Sequence, residues 1–157
     1  TAYEIYQCDW SSDVCSSDLC WAAERIGLYY TPINSHLTPT EIAYILNDCG
    51  AQSVVTTSLL ADNVRQALTS TPHVVSVIAV GGADGYLTYD DIVSSSDTPL
   101  DGETAGAPML YSSGTTGVPK GVIRPLPERH PGDVAGIALA LQFAFGGSLG
   151  KIGRAHV

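Results

Sequence analysis

Basic residues are scarce in this chain. Seven Lys and Arg stand against sixteen Asp and Glu in 157 residues, giving a formal net charge of −9. The few cations are scattered and form no stripe, which argues against nucleic acid and anionic membrane as partners. Long apolar runs are also missing. The longest, VAGIALALQFAF (134–145), is too short to span a bilayer and is interrupted by Gln142. The first ten residues, TAYEIYQCDW, have neither the basic nor the apolar region of a secretory signal. The expectation is a soluble, cytoplasmic protein without a transmembrane segment. Hydrophobic content of 45% and a mean hydropathy of +0.14 are globular values. The length suits one ordinary domain or a piece of a larger one.

Cysteine is sparse outside one cluster. Cys8, Cys15 and Cys20 crowd together at the N-terminal end, and Cys49 stands apart. The spacing C-x6-C-x4-C matches no common zinc pattern, and no histidine lies near it. A cysteine-based metal or redox module is therefore a poor match, and a disulfide framework lacks a secretory context. The two ends offer another explanation. The tail IGRAHV (152–157) can be written ATC GGA AGA GCA CAC GTC. The reverse complement of that DNA reads Asp-Val-Cys-Ser-Ser-Asp, which is residues 13–18. One short DNA can thus encode both flanks, once per strand, as in translated sequencing-library adapter. The expected organisation is a leader of artefactual or uncertain origin over 1–19, a natural segment over 20–150 and an artefactual tail over 151–157. Within 20–150, five Lys and Arg face twelve Asp and Glu, so the acidic character survives trimming.

The natural segment alternates strand and helix patterns. CWAAERIG (20–27) reads as a helix end with Gly27 as its stop. LYYTPIN (28–34) reads as a strand. Thr38, Pro39 and Glu41 supply an N-cap, a first-turn proline and a capping-box partner. Ile42, Ile45 and Leu46 follow at helical spacing, and Gly50 ends the helix. Beyond it, QSVVTT (52–57) predicts a strand, SLLADNVRQALT (58–69) an amphipathic helix, and HVVSVIAV (73–80) a strand. TYDDIVSS (88–95) suits a short helix, and 95–107 a polar connection. This order implies an α/β fold with a partial doubly wound, mostly parallel sheet. PMLY (108–111) and GVIR (121–124) read as strands flanking a Gly-rich loop, and DVAGIALALQFAF (133–145) as an apolar helix.

That loop, SSGTTGVPKG (112–121), carries the chemistry. Glycines let a ligand approach the backbone, successive N–H groups in tight turns bind anions, and Ser and Thr hydroxyls add donors. A lysine supplies a mobile positive charge for phosphate oxygens. The loop is not a Walker A motif, because Pro119 stands where its second glycine belongs and Gly121 where Ser or Thr belongs. Nor is it the G-x-G-x-x-G of dinucleotide folds. A flexible polar linker would share its composition, but not the order Thr-Thr-Gly-x-Pro-Lys-Gly between apolar strands.

YSSGTTGVPKGV (111–122) resembles the phosphate-binding signature of the adenylate-forming, AMP-binding superfamily. The upstream WAAERIGLYYTPINSHLTPTEIAYILNDCGA (21–51) is similar to the acyl-CoA synthetase branch. The resemblance covers about residues 20–150, a part of that family's large N-terminal domain. It implies a ligase that joins a carboxylic acid, of which fatty acids are the first candidates, to coenzyme A using Mg2+ and ATP. By match to the motif, Ser112, Ser113, Gly114, Thr115, Thr116 and Gly117 would wrap the departing pyrophosphate. Lys120 would add charge as the catalytic group. Ser112 replaces a threonine common in the family, and VIRPLPERH replaces a strand ending in Thr-His. The family's adenine- and ribose-binding segments, its magnesium-holding acid and its C-terminal domain have no counterpart here, so the chain alone is expected to be inactive. A non-catalytic nucleotide- or anion-binding module, or an adenylation domain serving another acceptor, would use the same loop.

Other candidates read as structural. His36 precedes a helix cap, His73 opens a strand, His130 lies among prolines, and His156 falls in the suspect tail. Asp90 and Asp91 are adjacent and so do not share a helix face. Cys49 fits a small buried hydrophobe, and Tyr29 and Tyr30 fit strand packing.

Overall fold

The computed structural model describes residues 3–7, 14–94, 98, 102–112, 118–128 and 130–131. Strand β1 (Tyr3–Gln7) leads to helix α1 (Val14–Arg25), strand β2 (Tyr29–Ile33) and helix α2 (Pro39–Cys49). Strand β3 (Ser53–Thr57), helix α3 (Ala61–Leu68) and strand β4 (Ser76–Val80) follow. The chain then forms β5 (Leu87–Thr88), α4 (Tyr89–Val93), β6 (Ala107–Pro108), β7 (Leu110–Ser112) and β8 (Lys120–Val122). Strands β1 to β6 make a parallel sheet in the order β5-β4-β3-β1-β2-β6, while β7 and β8 form a separate antiparallel pair.

The order explains the layering. From β1 the chain steps one way to β2, then crosses back over β1 to β3 and continues to β4. Right-handed crossovers running in opposite directions put their helices on opposite faces. Burial follows that rule. Tyr29, Ile33, Val54 and Val77 pack with Ile42, Ile45 and Leu46 of α2 and Val64 of α3. Tyr30, Val55 and Ile78 meet Leu19 and Ala23 of α1 on the other face. The sheet is therefore parallel and doubly wound, as its strand–helix alternation implies.

Several boundaries differ from the expectations. The helix over 58–69 opens as a 3-10 turn, Ser58–Leu60, which leaves Leu59 almost wholly exposed. The strand expected from His73 begins at Ser76, because a turn bond from Val74 N–H to the Thr71 carbonyl holds 71–74 out of the sheet. PMLY is not one strand. Ala107 and Pro108 pair with β2, the Met109 amide donates to the Tyr30 carbonyl at 2.8 Å, and Leu110 starts the second sheet. Burial of the Met109 side chain in the α2 core fixes that break. Pro108 sits on the sheet's edge, where a missing N–H costs no ladder bond. The helix expected over 133–145 lies outside the described residues.

Candidate functional site

The site is built outward from α2. Thr38 has extended backbone angles, and its Oγ1 accepts from the Glu41 amide at 3.4 Å. The Glu41 carboxylate in turn accepts from Thr38 N–H at 2.8 Å and from Thr38 Oγ1–H at 2.7 Å. These bonds, the backbone one first, hold the Glu41 carboxyl below the usual range. At the other end Gly50 adopts φ 66°, and its N–H caps the Leu46 carbonyl. With both ends fixed, Ile42, Ile45, Leu46 and Cys49 face the core. Tyr44 and Asp48, one turn apart, share the exposed side.

That side receives the β7–β8 hairpin. Its register pairs Leu110 with Val122, Tyr111 with Gly121, and Ser112 with Lys120. Side chains alternate across a strand, so Leu110, Ser112, Lys120 and Val122 share one face, and all four are exposed. Tyr111 and Gly121 take the opposite face. Tyr111 Oη donates to Asp48 Oδ2 at 2.6 Å. Burial first, and this bond second, push the phenol far above its ordinary pKa, so it stays protonated as a donor. Tyr44 Oη donates to the Pro119 carbonyl at 3.2 Å, and Tyr29 Oη to the Arg124 carbonyl at 2.6 Å. A Cβ at Gly121 would stand 2.5 Å from Met109 Cε and 3.0 Å from Tyr111 Cζ. Glycine is what lets the tyrosine ring lie across this strand.

Of the loop residues singled out from sequence, Ser112 and Lys120 are brought together as a cross-strand pair, one hydroxyl and one ammonium on an open face. Ser113, Gly114, Thr115, Thr116 and Gly117 lie outside the described residues. The pair closes the base of a segment rich in small residues, an arrangement suited to a polyanion reached from solvent. Sequence reading missed Tyr44, Asp48 and Tyr111, which tie the hairpin to α2. It also reduced Tyr29 to packing, although its hydroxyl holds the chain just beyond β8 through the Arg124 carbonyl. An exposed tyrosine on an otherwise amphipathic helix was the available signal.

The remaining candidates take structural places. The His73 ring lies 3.0 Å from the Leu46 carbonyl, and His36 is exposed in a turn whose amide bonds Asn34 Oδ1. His130 and Arg25 both approach the Glu103 carboxylate, at 3.4 and 2.9 Å. Asp90 and Asp91 are exposed in the first turn of α4, where Thr88 caps. Cys49 is buried, which pushes its thiol up to about 11 and makes it a poor nucleophile. Among the described residues no three His, Cys, Asp or Glu side chains converge on a metal position. No described helix is long and apolar enough to cross a membrane.

Comparison with known proteins agrees with the fold. The chain is 31% identical over 116 residues to a 4-hydroxybenzoate–CoA/benzoate–CoA ligase of Rhodopseudomonas palustris, covering 67% of this chain and 20% of that protein. It is 33% identical over 107 residues to a long-chain-fatty-acid–CoA ligase of Thermus thermophilus, covering 66% and 20%. The chain thus spans about a fifth of the length of these curated relatives. Among solved structures, the A-PCP didomain of carboxylic acid reductase from Segniliparus rugosus, in complex with AMP, superposes with a TM-score of 0.65. That match has 17% identity and covers 93% of this chain and 23% of the other. Residues 19–126, which include the loop and both strands that bear it, match the family model of the AMP-binding enzymes, and the chain belongs to that family.

Proposed function

We propose that this chain is part of an AMP-forming acid–CoA ligase and that its Gly-rich loop holds the pyrophosphate end of ATP. The observation that carries this reading is the Ser112–Lys120 pair, exposed on one face at the base of SSGTTGVPKG. In the first step a carboxylate oxygen attacks the α-phosphate of ATP, and the bond to the β-phosphate oxygen breaks to release pyrophosphate. In the second, the coenzyme A thiol attacks the acyl carbon, and AMP leaves with the bonding pair. The part assigned to this chain is electrostatic. Lys120, Ser112 and the loop residues Ser113, Gly114, Thr115, Thr116 and Gly117 neutralise charge that grows on the leaving pyrophosphate. Mg2+ would travel with ATP, and because no described cluster of this chain fits a metal, no step is assigned to it.

The substrate class is a carboxylic acid. Fatty acids are the first class to test, with aromatic acids beside them, since relatives named for both are similar to this chain. A cytoplasmic location belongs to the same reading, as ATP and coenzyme A are supplied there. The natural segment is taken as a partial AMP-binding domain over 20–150, with 1–19 as a leader of artefactual or uncertain origin and 151–157 as an artefactual tail. Different codons at the two ends of the raw nucleotide sequence would reject that assignment.

The decisive assay is carboxylate-dependent exchange of pyrophosphate into ATP, using the uninterrupted reading frame. Exchange is expected, with thioester formation when coenzyme A is added. Lys120→Ala should slow exchange about 100-fold, while the melting temperature stays nearly unchanged. ATP binding without exchange would instead identify a non-catalytic nucleotide module. Exchange without thioester formation would identify another acceptor.

A further inference from the structure

The β7–β8 ladder has three residue pairs, and a two-stranded ribbon of that size does not hold its own orientation in water. Its direction must come from outside. The contacts that supply it fall at two equivalent places. Tyr111, bonded to Asp48, immediately precedes Ser112 on one strand. Pro119, whose carbonyl accepts from Tyr44, immediately precedes Lys120 on the other. Both anchors start from one exposed side of one helix, a single turn apart. That helix is fixed in phase by the Thr38–Glu41 box, the Gly50 cap and five buried apolar side chains.

We infer that α2 is the positioning element of the phosphate loop, with Asp48 acting through Tyr111 and Tyr44 acting through the Pro119 carbonyl to set the geometry of the Ser112–Lys120 pair; the inference rests on the pyrophosphate reading above. Neither Tyr44 nor Asp48 touches the phosphate. They fix one residue before each group that does. A lysine side chain swings freely, but a lysine whose preceding carbonyl is tied to a helix starts from a fixed point. Preorganisation of this kind appears as anion affinity more than as global stability, because both anchors lie at the surface.

The test uses the 157-residue chain with inorganic pyrophosphate as probe. Three measurements are made on Tyr111→Phe, Tyr44→Phe, Asp48→Ala and Asp48→Asn: calorimetric pyrophosphate affinity, amide exchange in β7 and β8, and the urea midpoint. Tyr111→Phe keeps the ring on Gly121 and removes only the donor. We expect Tyr111→Phe and Asp48→Ala each to weaken pyrophosphate binding about tenfold. Exchange at the β7 and β8 amides should quicken while α2 and β3 amides keep their protection. Tyr44→Phe should do the same more weakly, and Asp48→Asn, which still presents an oxygen acceptor, should bind nearly as the unsubstituted chain does. If any variant loses the α2 and β3 protection, Tyr44→Phe decides, because its position is exposed. Unchanged affinity in both tyrosine variants overturns the inference. So does a loss of affinity that merely tracks the urea midpoint. Should the unsubstituted chain fail to bind pyrophosphate, the phosphate reading falls. The clamp is then judged on exchange alone, where unchanged β7 and β8 protection overturns it.

Discussion

The α2/α3 side of the parallel sheet and the β7–β8 hairpin are held by different kinds of interaction. The first is a continuous apolar layer in which Ile42, Leu46, Val54 and Val64 are at most 1% exposed. The second has Leu110 and Val122 both more than half exposed. It is fixed by three tyrosine hydroxyls and one glycine. Apolar burial is non-directional, so many side chains share the work and the layer tolerates small errors of angle. Hydroxyl bonds and a close glycine contact are directional and few. A group that must face a ligand at a set angle is served by the second kind, provided the first supplies a rigid base.

Breaking the base should have the largest effect. Leu46 is fully buried between α2 and the sheet, so Leu46→Ala should cost about 2–5 kcal/mol. For a domain of this size that is a large part of total stability. Urea denaturation followed by far-UV circular dichroism should show a much lower midpoint, with pyrophosphate affinity lost only as folding is lost. Gly121→Ala probes the other region. The added methyl would collide with Met109 and Tyr111, and overpacking of that sort costs about 1–3 kcal/mol. Because Tyr111 is the anchored group, this variant should lose pyrophosphate affinity at urea concentrations where the sheet remains folded. Equal losses in the two variants, scaled to stability, would erase the distinction between base and hairpin.

The same division decides what could be read from the residues alone. The α2 boundaries were legible because capping chemistry is local: Thr38, Glu41 and Gly50 each act within one turn. The parallel sheet was legible because the strand–helix alternation is periodic. The position of the Gly-rich loop between two strands was legible from the apolar segments that flank it. The split of PMLY at Met109 was not, since it depends on a bond to Tyr30 and on burial under a helix formed far upstream. Nor was the tie of Tyr111 to Asp48, 63 residues apart, or of Tyr44 to Pro119, 75 apart. No local pattern encodes such pairs. They exist only after the base has folded.

Two smaller perturbations act on α2 without touching the hairpin. Thr38→Ala removes the cap and should cost about 1 kcal/mol, visible as a modest fall in the urea midpoint. If α2 positions the loop, fraying its first turn should leave pyrophosphate affinity almost intact, because Tyr44 and Asp48 lie in the second and third turns. An affinity loss as large as that of Tyr111→Phe would mean that the whole helix, rather than its two contacts, sets the geometry.

The last perturbation is the titration of Glu41. Its carboxyl is held below the usual range by the Thr38 backbone N–H and hydroxyl, so in acid the folded chain binds fewer protons at this site than the unfolded chain. The resulting stability is fully present above the unfolded value, about pH 4.3, and is lost as pH falls through the lower folded value. Glu41→Gln keeps an oxygen for the Thr38 amide but has no charge to titrate. The difference in melting temperature between the chain and this variant should therefore favour the chain at neutral pH and shrink below about pH 4.3. Every other carboxylate titrates in both proteins and cancels from the difference. A gap that stays constant down to strong acid would place the carboxylate's contribution in its shape rather than its charge.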